Sequence, residues 1–201
     1  MDRMISRIME HTLVYRLWQA PFAEKKLAPV FAHNNLTLAR RVLDVGCGPG
    51  TNSHHFERSE YLGIDLNPRY IDYARRRWRR NFLVADVTKY SVVGERFDFI
   101  LVNSFLHHID APGTRRILSH LETLLTHDGH IHILELVLPA EPSLSRLLAR
   151  WDRGDFPRPL ETWQELFTEH FEPVVFQPYP LGPFGAKLWS MVYFKGRARG
   201  A

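Results

Sequence analysis

A glycine-rich turn is the strongest candidate for a ligand-binding segment in this sequence. It reads Val42-Leu43-Asp44-Val45-Gly46-Cys47-Gly48-Pro49-Gly50, so a short apolar run leads into glycines at 46, 48 and 50. Glycine permits backbone conformations closed to other residues and lets a ligand approach the chain closely. The N-terminus of a following helix adds free N–H groups. Taken alone, the turn fits either a nucleotide-binding site or a tight connection between a strand and a helix.

Acidic residues at regular spacing favour a nucleotide-binding site. Asp44, Asp65 and Asp86 lie 21 positions apart, each close to the predicted end of a strand. Ligands of open α/β folds bind at the carboxyl ends of the strands, where a carboxylate accepts hydrogen bonds from ribose hydroxyls. Thr51 stands where dinucleotide dehydrogenases usually keep a glycine. Together with the third acid, it favours an adenosine with an uncharged linkage and disfavours an NAD-binding module.

The chain resembles the class I S-adenosylmethionine-dependent methyltransferases over nearly its whole length, in particular small bacterial members of that family. The resemblance is carried by the segments DVGCGPG, GIDLNPRYIDYARRR, ADVT, FDFILVNSFLHHID and LLTHDGHIHILE. It implies transfer of a methyl group from S-adenosylmethionine to a small-molecule acceptor by in-line displacement, with S-adenosylhomocysteine as the product. The alternatives are an RNA methyltransferase and a protein that binds the cofactor without transferring its methyl group.

The resemblance also implies which residues of the glycine turn and the second strand bind the cofactor. Gly46 and Gly48 would line its methionine part, and Cys47 between them is also expected to contact it. Asp65 would bind the ribose, while Leu66 would pack on the adenine.

Further cofactor contacts are implied elsewhere in the chain. Asp86 would reach the adenine amino group with Val87 alongside, and Asn103 would place its backbone near the amino group of the methionine part. In the most similar subgroup, Tyr15 and Gln19 would close over the cofactor, although both also suit ordinary helix packing.

Two adjacent histidines, His107 and His108, are the candidate catalytic residues, because they follow the fourth predicted strand beside the expected methyl donor. The unperturbed pKa of histidine is near neutrality, so either ring could accept a proton from an acceptor hydroxyl. The alternative is that the pair, with Asp110, holds its loop. Glu135 in the fifth strand either points at the pocket or is a satisfied buried acid. No metal is expected, because adjacent histidines on a loop, without the spacing of a zinc site or a clear set of carboxylates, form a poor ligand set.

Alternating apolar and amphipathic segments predict a doubly wound α/β domain. Seven strands are predicted, at 41–45, 61–65, 82–86, 97–102, 130–138, 173–177 and 187–195. Helices are predicted from the glycine turn to residue 56, from residue 68, and over 112–126 and 160–170, with one or two more within 6–33. Prolines and glycines between the last two strands favour an antiparallel hairpin. The expected sheet is Rossmann-like and mostly parallel, with an antiparallel C-terminal strand and helices on both faces.

The 201 residues are expected to form one domain. Its predicted parts are an N-terminal helical cap (1–40), a cofactor-binding core (41–138), a proline-rich insertion that could act as a lid (139–159), and a C-terminal helix with the antiparallel strand pair (160–201). Aromatic side chains of the cap and the insertion could face the sulfonium or an apolar acceptor, namely Tyr15, Trp18, Trp151 and Phe156.

Composition and charge exclude several classes of protein. Hydrophobic residues make up 45% and charged residues 24% of the chain, as in an ordinary globular domain. No run of 18 uncharged apolar residues occurs, which argues against a membrane span. The single cysteine, Cys47, favours a reducing, cytoplasmic setting. The net charge of +4 is concentrated in arginines 75–77, 79 and 80, which we interpret as a solvated helix C-terminus, so no nucleic-acid partner is expected.

Overall fold

Seven strands form one sheet in a computed structural model of the chain, which describes residues 23–90, 94–151, 155–182 and 188–199. The strands are β1 Arg41–Val45, β2 Glu60–Asp65, β3 Asn81–Val84, β4 Phe97–Asn103, β5 Leu125–Val137, β6 Phe171–Leu181 and β7 Trp189–Ala198. The α-helices are α1 Ala23–His33, α2 Pro68–Arg77, α3 Ala111–Thr123, α4 Leu144–Trp151 and α5 Leu160–His170. Short 3-10 helices cover Leu36–Leu38, Thr51–Phe56 and Leu106–His108. No helix among the described residues is long and apolar enough to cross a membrane.

The strand order is β3-β2-β1-β4-β5-β7-β6. Strands β1 to β5 pair in parallel, while β7 runs antiparallel to both β5 and β6. This arrangement confirms the predicted Rossmann-like sheet with its antiparallel C-terminal strand. The chain order reverses between β1 and β4, and ligands of such sheets bind in the crevice outside the strand ends at that reversal.

Helices cover both faces of the sheet because consecutive side chains of each buried strand point to opposite sides. Leu43 of β1 packs in a cluster with the apolar faces of α3 and α5, whereas its neighbour Val42 packs with α1 and α2. Trp163 and Phe167 of α5 are fully buried in the first cluster. Burying one such large side chain contributes about 1.5–3 kcal/mol, so the two clusters fix the strand ends that carry the site.

Strand β6 forms one edge of the sheet and contains Pro173, Pro178 and Pro180. A proline has no N–H to donate to a ladder, so within sheets it is confined to edges, first positions and bulges. The β6–β7 register shifts between Pro173 and Val175, and Pro178 and Pro180 pair with Val192 and Ser190 of β7.

The structure corrects several predicted boundaries. The helix predicted over 112–126 ends at Thr123, and β5 begins at Leu125 rather than at residue 130. The segment that follows the glycine turn is a 3-10 helix rather than an α-helix, and residues 144–151 of the proline-rich insertion form α4. Strand β3 ends at Val84, so Asp86 follows the strand instead of closing it.

Candidate functional site

The glycine turn directly follows β1 and is tied to β2. The N–H groups of Gly46 and Cys47 both donate to the carbonyl oxygen of Ile64, at 2.8 and 3.0 Å. Gly46 and Gly48 have φ angles of 66° and 53°, in the left-handed region that favours glycine. A Cβ on Gly46 would lie 2.7 Å from the Phe105 ring, whereas a Cβ on Gly48 would meet no atom within 4 Å. Gly46 is therefore required by packing, while Gly48 borders open space.

Asp65 connects the glycine turn to the start of α2. Its Oδ2 accepts a hydrogen bond from the Gly48 N–H at 2.9 Å, and its Oδ1 accepts one from the Asn67 N–H at 2.8 Å. Each carboxylate oxygen has two lone pairs, so both oxygens retain one for a hydroxyl donor. The next side chain, Leu66, is 64% exposed at this edge of the sheet. An exposed leucine beside a carboxylate offers an apolar platform next to polar acceptors.

Asp44 is the fully buried acid of the site. Its Oδ2 accepts hydrogen bonds from the Tyr61 hydroxyl at 2.7 Å and from Asn52 Nδ2 at 3.2 Å. Its Oδ1 is buried and has no hydrogen-bond partner within the described parts of the chain. Burial raises the pKa of Asp44 to about 7, although the bonds from Tyr61 and Asn52 oppose this rise. A buried carboxylate oxygen without a partner is costly, and a cationic group of a ligand would satisfy it.

Asp86 lies in a local turn beyond β3. Its Oδ1 accepts hydrogen bonds from the hydroxyl of Thr88 at 2.7 Å and from the N–H of the same residue at 3.0 Å. These bonds are the main reason why the pKa of Asp86 is lowered, and Lys89 adds to them. The neighbouring Val87 is buried in the core. Asp86, the third acid of the sequence pattern, thus lies just beyond the end of β3. One of its carboxylate oxygens is already hydrogen-bonded to Thr88 of the same turn.

The end of β4 shows a backbone feature that the sequence did not indicate. Ser104 has a φ angle of 54°, and it is the single non-glycine residue with a positive φ in the ranges that the structure describes. Its hydroxyl accepts a hydrogen bond from Lys26 Nζ of α1 at 2.9 Å. The preceding Asn103 has a buried Oδ1 without a hydrogen-bond partner among the described residues. Strained backbone of this kind clusters at functional sites.

Glu135 of β5 holds the loop that carries the two histidines. Its Oε1 accepts hydrogen bonds from the N–H groups of Phe105 and Leu106, at 2.8 and 2.6 Å. Its Oε2 lies 2.7 Å from Nδ1 of His107. Burial acts to raise the pKa of Glu135, but His107 and the two N–H groups together lower it. An ionised Glu135 makes His107 Nδ1 the donor of this bond.

The two histidines differ in exposure. His107 is 2% exposed, whereas His108 is exposed at the surface, with the ring centroids 4.2 Å apart. Arg158 supports the same loop, because its guanidinium donates to the carbonyl oxygens of Leu106 at 3.1 Å and of Ile109 at 2.5 Å. Sequence reasoning missed Arg158, since nothing in its local pattern marks a buried arginine.

The arginine run at the end of α2 is partly occupied by structural contacts. Arg75 donates to the carbonyl oxygen of Phe82, and Arg80 donates to those of Phe56 and Ser59. The N–H groups that make these bonds are not available to the phosphates of a nucleic acid. Two of the implied cofactor contacts, Tyr15 and Gln19, lie outside the described residues, as do Trp18 and the segment 152–154.

Known proteins match this chain over the segment that carries the strand ends described above. Residues 42–129 match the model of a family described as a methyltransferase domain. The chain is 33% identical over 82 residues to a malonyl-[acyl-carrier protein] O-methyltransferase of Legionella pneumophila, a match that covers 37% of this chain and 29% of that protein. It is 32% identical over 104 residues to an uncharacterized methyltransferase of Mycobacterium tuberculosis, over 49% of this chain and 52% of that protein. The matches thus span about half of these relatives or less.

Solved structures share the fold over most of the chain. The N-methyltransferase NodS from Bradyrhizobium japonicum, in complex with S-adenosyl-L-homocysteine, superposes with a TM-score of 0.69 at 19% identity, covering 89% of this chain and 88% of NodS. The plantazolicin methyltransferase BpumL, also in complex with S-adenosylhomocysteine, gives a TM-score of 0.71 at 18% identity, covering 95% and 91%. Residues 42–129 thus match a methyltransferase domain, and the described fold is the one that these solved methyltransferases share.

Proposed function

We propose that this protein is an enzyme that transfers a methyl group from S-adenosylmethionine to a small-molecule acceptor and releases S-adenosylhomocysteine. The observation that carries the proposal is the grouping of three features at the strand ends of β1 and β2. These are the unpartnered buried oxygen of Asp44, the open space at Gly48, and the carboxylate of Asp65 with a lone pair left on each oxygen.

The residues at this edge fit an adenosyl sulfonium cofactor. Asp65 would accept hydrogen bonds from the ribose hydroxyls, and the exposed Leu66 would cover one face of the adenine. The methionine part would pass Gly46, Cys47 and Gly48, where its ammonium group would satisfy Asp44.

Five further residues belong to the same proposal. Asp86 would reach the adenine amino group with Val87 alongside, and Asn103 would lie near the ammonium group. Tyr15 and Gln19 would close over the cofactor.

The protein's contribution to the reaction would be alignment, exclusion of water and removal of a proton. The bound cofactor supplies a methyl group on a positively charged sulfur. Holding donor and acceptor in line lowers the barrier by about 7–11 kcal/mol. His108, which is exposed, is the candidate general base for a hydroxyl acceptor, and such assistance adds about 10²–10⁴-fold. His107, buried against Glu135, would act as a positioning residue for the loop.

The acceptor site would lie beneath the proline-rich insertion. The N–H of Phe156 donates to the carbonyl oxygen of His107 at 3.0 Å, so the insertion contacts the histidine loop directly. Leu144, Leu147 and Phe156 of the insertion are exposed apolar side chains. We therefore propose that the methyl acceptor has an apolar part. The relatives named above differ in their methyl acceptors, so they do not indicate which acceptor this protein uses. We also propose a cytoplasmic location, which the single cysteine favours.

Calorimetric titration with S-adenosylhomocysteine and with NAD tests the cofactor assignment. We expect the adenosyl ligand to bind and NAD not to bind. Asp65→Ala should weaken binding by the value of a charge-assisted hydrogen bond, about 1.5–3 kcal/mol. Asp72→Ala, which removes an exposed acid of α2, serves as the control and should bind normally. Binding of NAD alone, or an unchanged affinity in Asp65→Ala, would contradict the assignment.

A further inference from the structure

Three potential metal ligands meet outside the strand-end site described above. Glu24 lies in the first turn of α1, and His54 and His55 lie in the 3-10 helix that follows the glycine turn. Glu24 Oε1 is 3.5 Å from His54 Nε2 and 3.6 Å from His55 Nε2. The ligand atoms of all three side chains lie within 4.8 Å of one another. Two imidazoles and one carboxylate are a donor set that zinc uses in proteins.

The distances from Glu24 to the two histidine nitrogens are close to those expected around a tetrahedral metal. With metal–ligand bonds of about 2.0–2.1 Å, neighbouring ligand atoms of a tetrahedral zinc are about 3.3–3.5 Å apart. The two distances from Glu24 are at or just above this range. We propose that Glu24, His54 and His55 bind one zinc ion, with the fourth position open to water.

Contacts with neighbouring residues orient both histidine rings. Nδ1 of His54 lies 2.6 Å from the carbonyl oxygen of Thr51. A carbonyl oxygen can only accept, so Nδ1 carries a proton, and in the neutral ring the lone pair is on Nε2, on the side of Glu24. A hydrogen bond from the second ring nitrogen to a carbonyl is typical of metal-binding histidines. His55 packs edge-on against Phe31, with ring centroids 5.0 Å apart, which limits the positions of its ring.

A metal explains the cluster better than two ion pairs do. The centroids of the His54 and His55 rings are 3.8 Å apart, so two protonated rings would repel each other. The neutral imidazole is the form that metals bind. A single exposed ion pair contributes only about 0.2–1 kcal/mol, which gives little reason for three such groups to converge.

The position of the site gives the metal a structural consequence. It would link α1 to the 3-10 helix that begins one residue after Gly50, the last glycine of the turn. The same helix α1 contacts the end of β4 through Lys26 and Ser104. Zinc would therefore hold α1 against the edge at which the cofactor is proposed to bind. The proposal itself is independent of the methyl transfer reaction, since it concerns only the affinity for the ion.

Zinc titration of the untagged, full-length protein against a chromophoric chelator tests the site. After treatment with EDTA, we expect one zinc equivalent to bind and the midpoint of thermal unfolding to rise with zinc. Glu24→Gln and His54→Gln should each weaken zinc binding by at least about tenfold. His127→Gln is the matched control, because His127 lies 3.0 Å from the carboxylate of Asp128 on the surface but belongs to no cluster of three ligands among the described residues.

Cobalt provides a second measurement, since tetrahedral cobalt has strong visible absorption that a loosely bound, six-coordinate ion lacks. We expect these bands in the parent protein and in His127→Gln, and their loss in Glu24→Gln. Glu24 is exposed, so its replacement tests the ligand set without risk to the core. Failure of the parent protein to bind zinc, or equal binding by the parent and Glu24→Gln, would overturn the proposal.

Discussion

Glu135 Oε2 lies 2.7 Å from Nδ1 of His107, and both side chains are buried. Through its other oxygen, the same carboxylate binds the N–H groups of Phe105 and Leu106. The ring of Phe105 in turn packs where a side chain on Gly46 would stand. One carboxylate of β5 thus fixes the loop after β4 and, through Phe105, borders the glycine turn.

Replacing Glu135 by glutamine should destabilise the protein and loosen this loop. Glutamine keeps an oxygen for the N–H groups but loses the charge that pairs with His107. We expect the free energy of unfolding to fall by about 1.5–3 kcal/mol, the range for hydrogen bonds to charged groups. Urea denaturation measures the change, and Glu141→Gln, at an exposed position, is the control. A variant as stable as the parent would contradict the role given to Glu135.

The same residue predicts a loss of stability in acid. The pKa of Glu135 is lowered in the folded protein from its ordinary value of 4.5, so the folded state holds this proton less tightly than the unfolded state does. Its contribution is fully present above about pH 4.5 and is lost as the pH falls through the folded value. Unfolding measured between pH 3 and pH 7 should show a smaller acid dependence in Glu135→Gln than in the parent. If the free energy of unfolding varies with pH in the same way in both proteins, Glu135 is not the source of the acid dependence.

For Asp44 we expect stability to depend on pH with the opposite sign. Its pKa is raised from 3.8 to about 7, so the folded state holds the proton more tightly, and stability falls as the pH rises between these two values. A shift of this size corresponds to at most about 4 kcal/mol. Asp44→Asn should remove this slope and be more stable than the parent at pH 8. The same variant should bind S-adenosylhomocysteine more weakly, because it cannot offer a negative charge to the ammonium group.

Control measurements separate the two effects expected of Asp44→Asn. Equilibrium unfolding without ligand reports the pH slope, and calorimetry at pH 8 reports the affinity for S-adenosylhomocysteine. If the slope between pH 4 and pH 7 persists in the variant, then Asp44 is not its source. If only the affinity stays unchanged, the buried carboxylate is not the ammonium ligand.

Ser104 predicts a stability difference between two small substitutions. Both Ser104→Gly and Ser104→Ala remove the hydroxyl that binds Lys26, but only glycine adopts a φ of 54° without strain. The left-handed conformation costs other residues about 1–2 kcal/mol. We therefore expect Ser104→Gly to be more stable than Ser104→Ala by about 1 kcal/mol, measured by thermal or urea unfolding. Equal stability of the two variants would show that the backbone at this position carries no strain.

Local patterns in the sequence predicted the fold and the position of the glycine turn and Asp65 at the ends of β1 and β2. The glycine turn, Asp65 and the capping pair Asn67-Pro68 signal their own structure, because the geometry they require is local. The Asn67 side chain accepts a hydrogen bond from the N–H of Arg69, and Pro68 occupies the first turn of α2, as the sequence predicted.

Features that depend on distant residues could not be predicted. Asp128-Gly129 looks like a helix stop, but it lies within β5, where the pairing with β4 shifts register between Phe97 and Phe99. A Cβ on Gly129 would lie 2.8 Å from the carbonyl oxygen of Phe97, a constraint that the local sequence does not reveal. The pairing of Glu135 with His107 joins two different elements, so no local pattern encodes it.

The prolines of β6 have a consequence for how copies of this protein can meet. Pro178 and Pro180 are two residues apart, so they face the same side of the strand, and neither has an N–H. An incoming strand from another chain would find donors missing at both positions along this edge. Edge-to-edge growth of the sheet, which is a route to aggregation, is therefore disfavoured at β6.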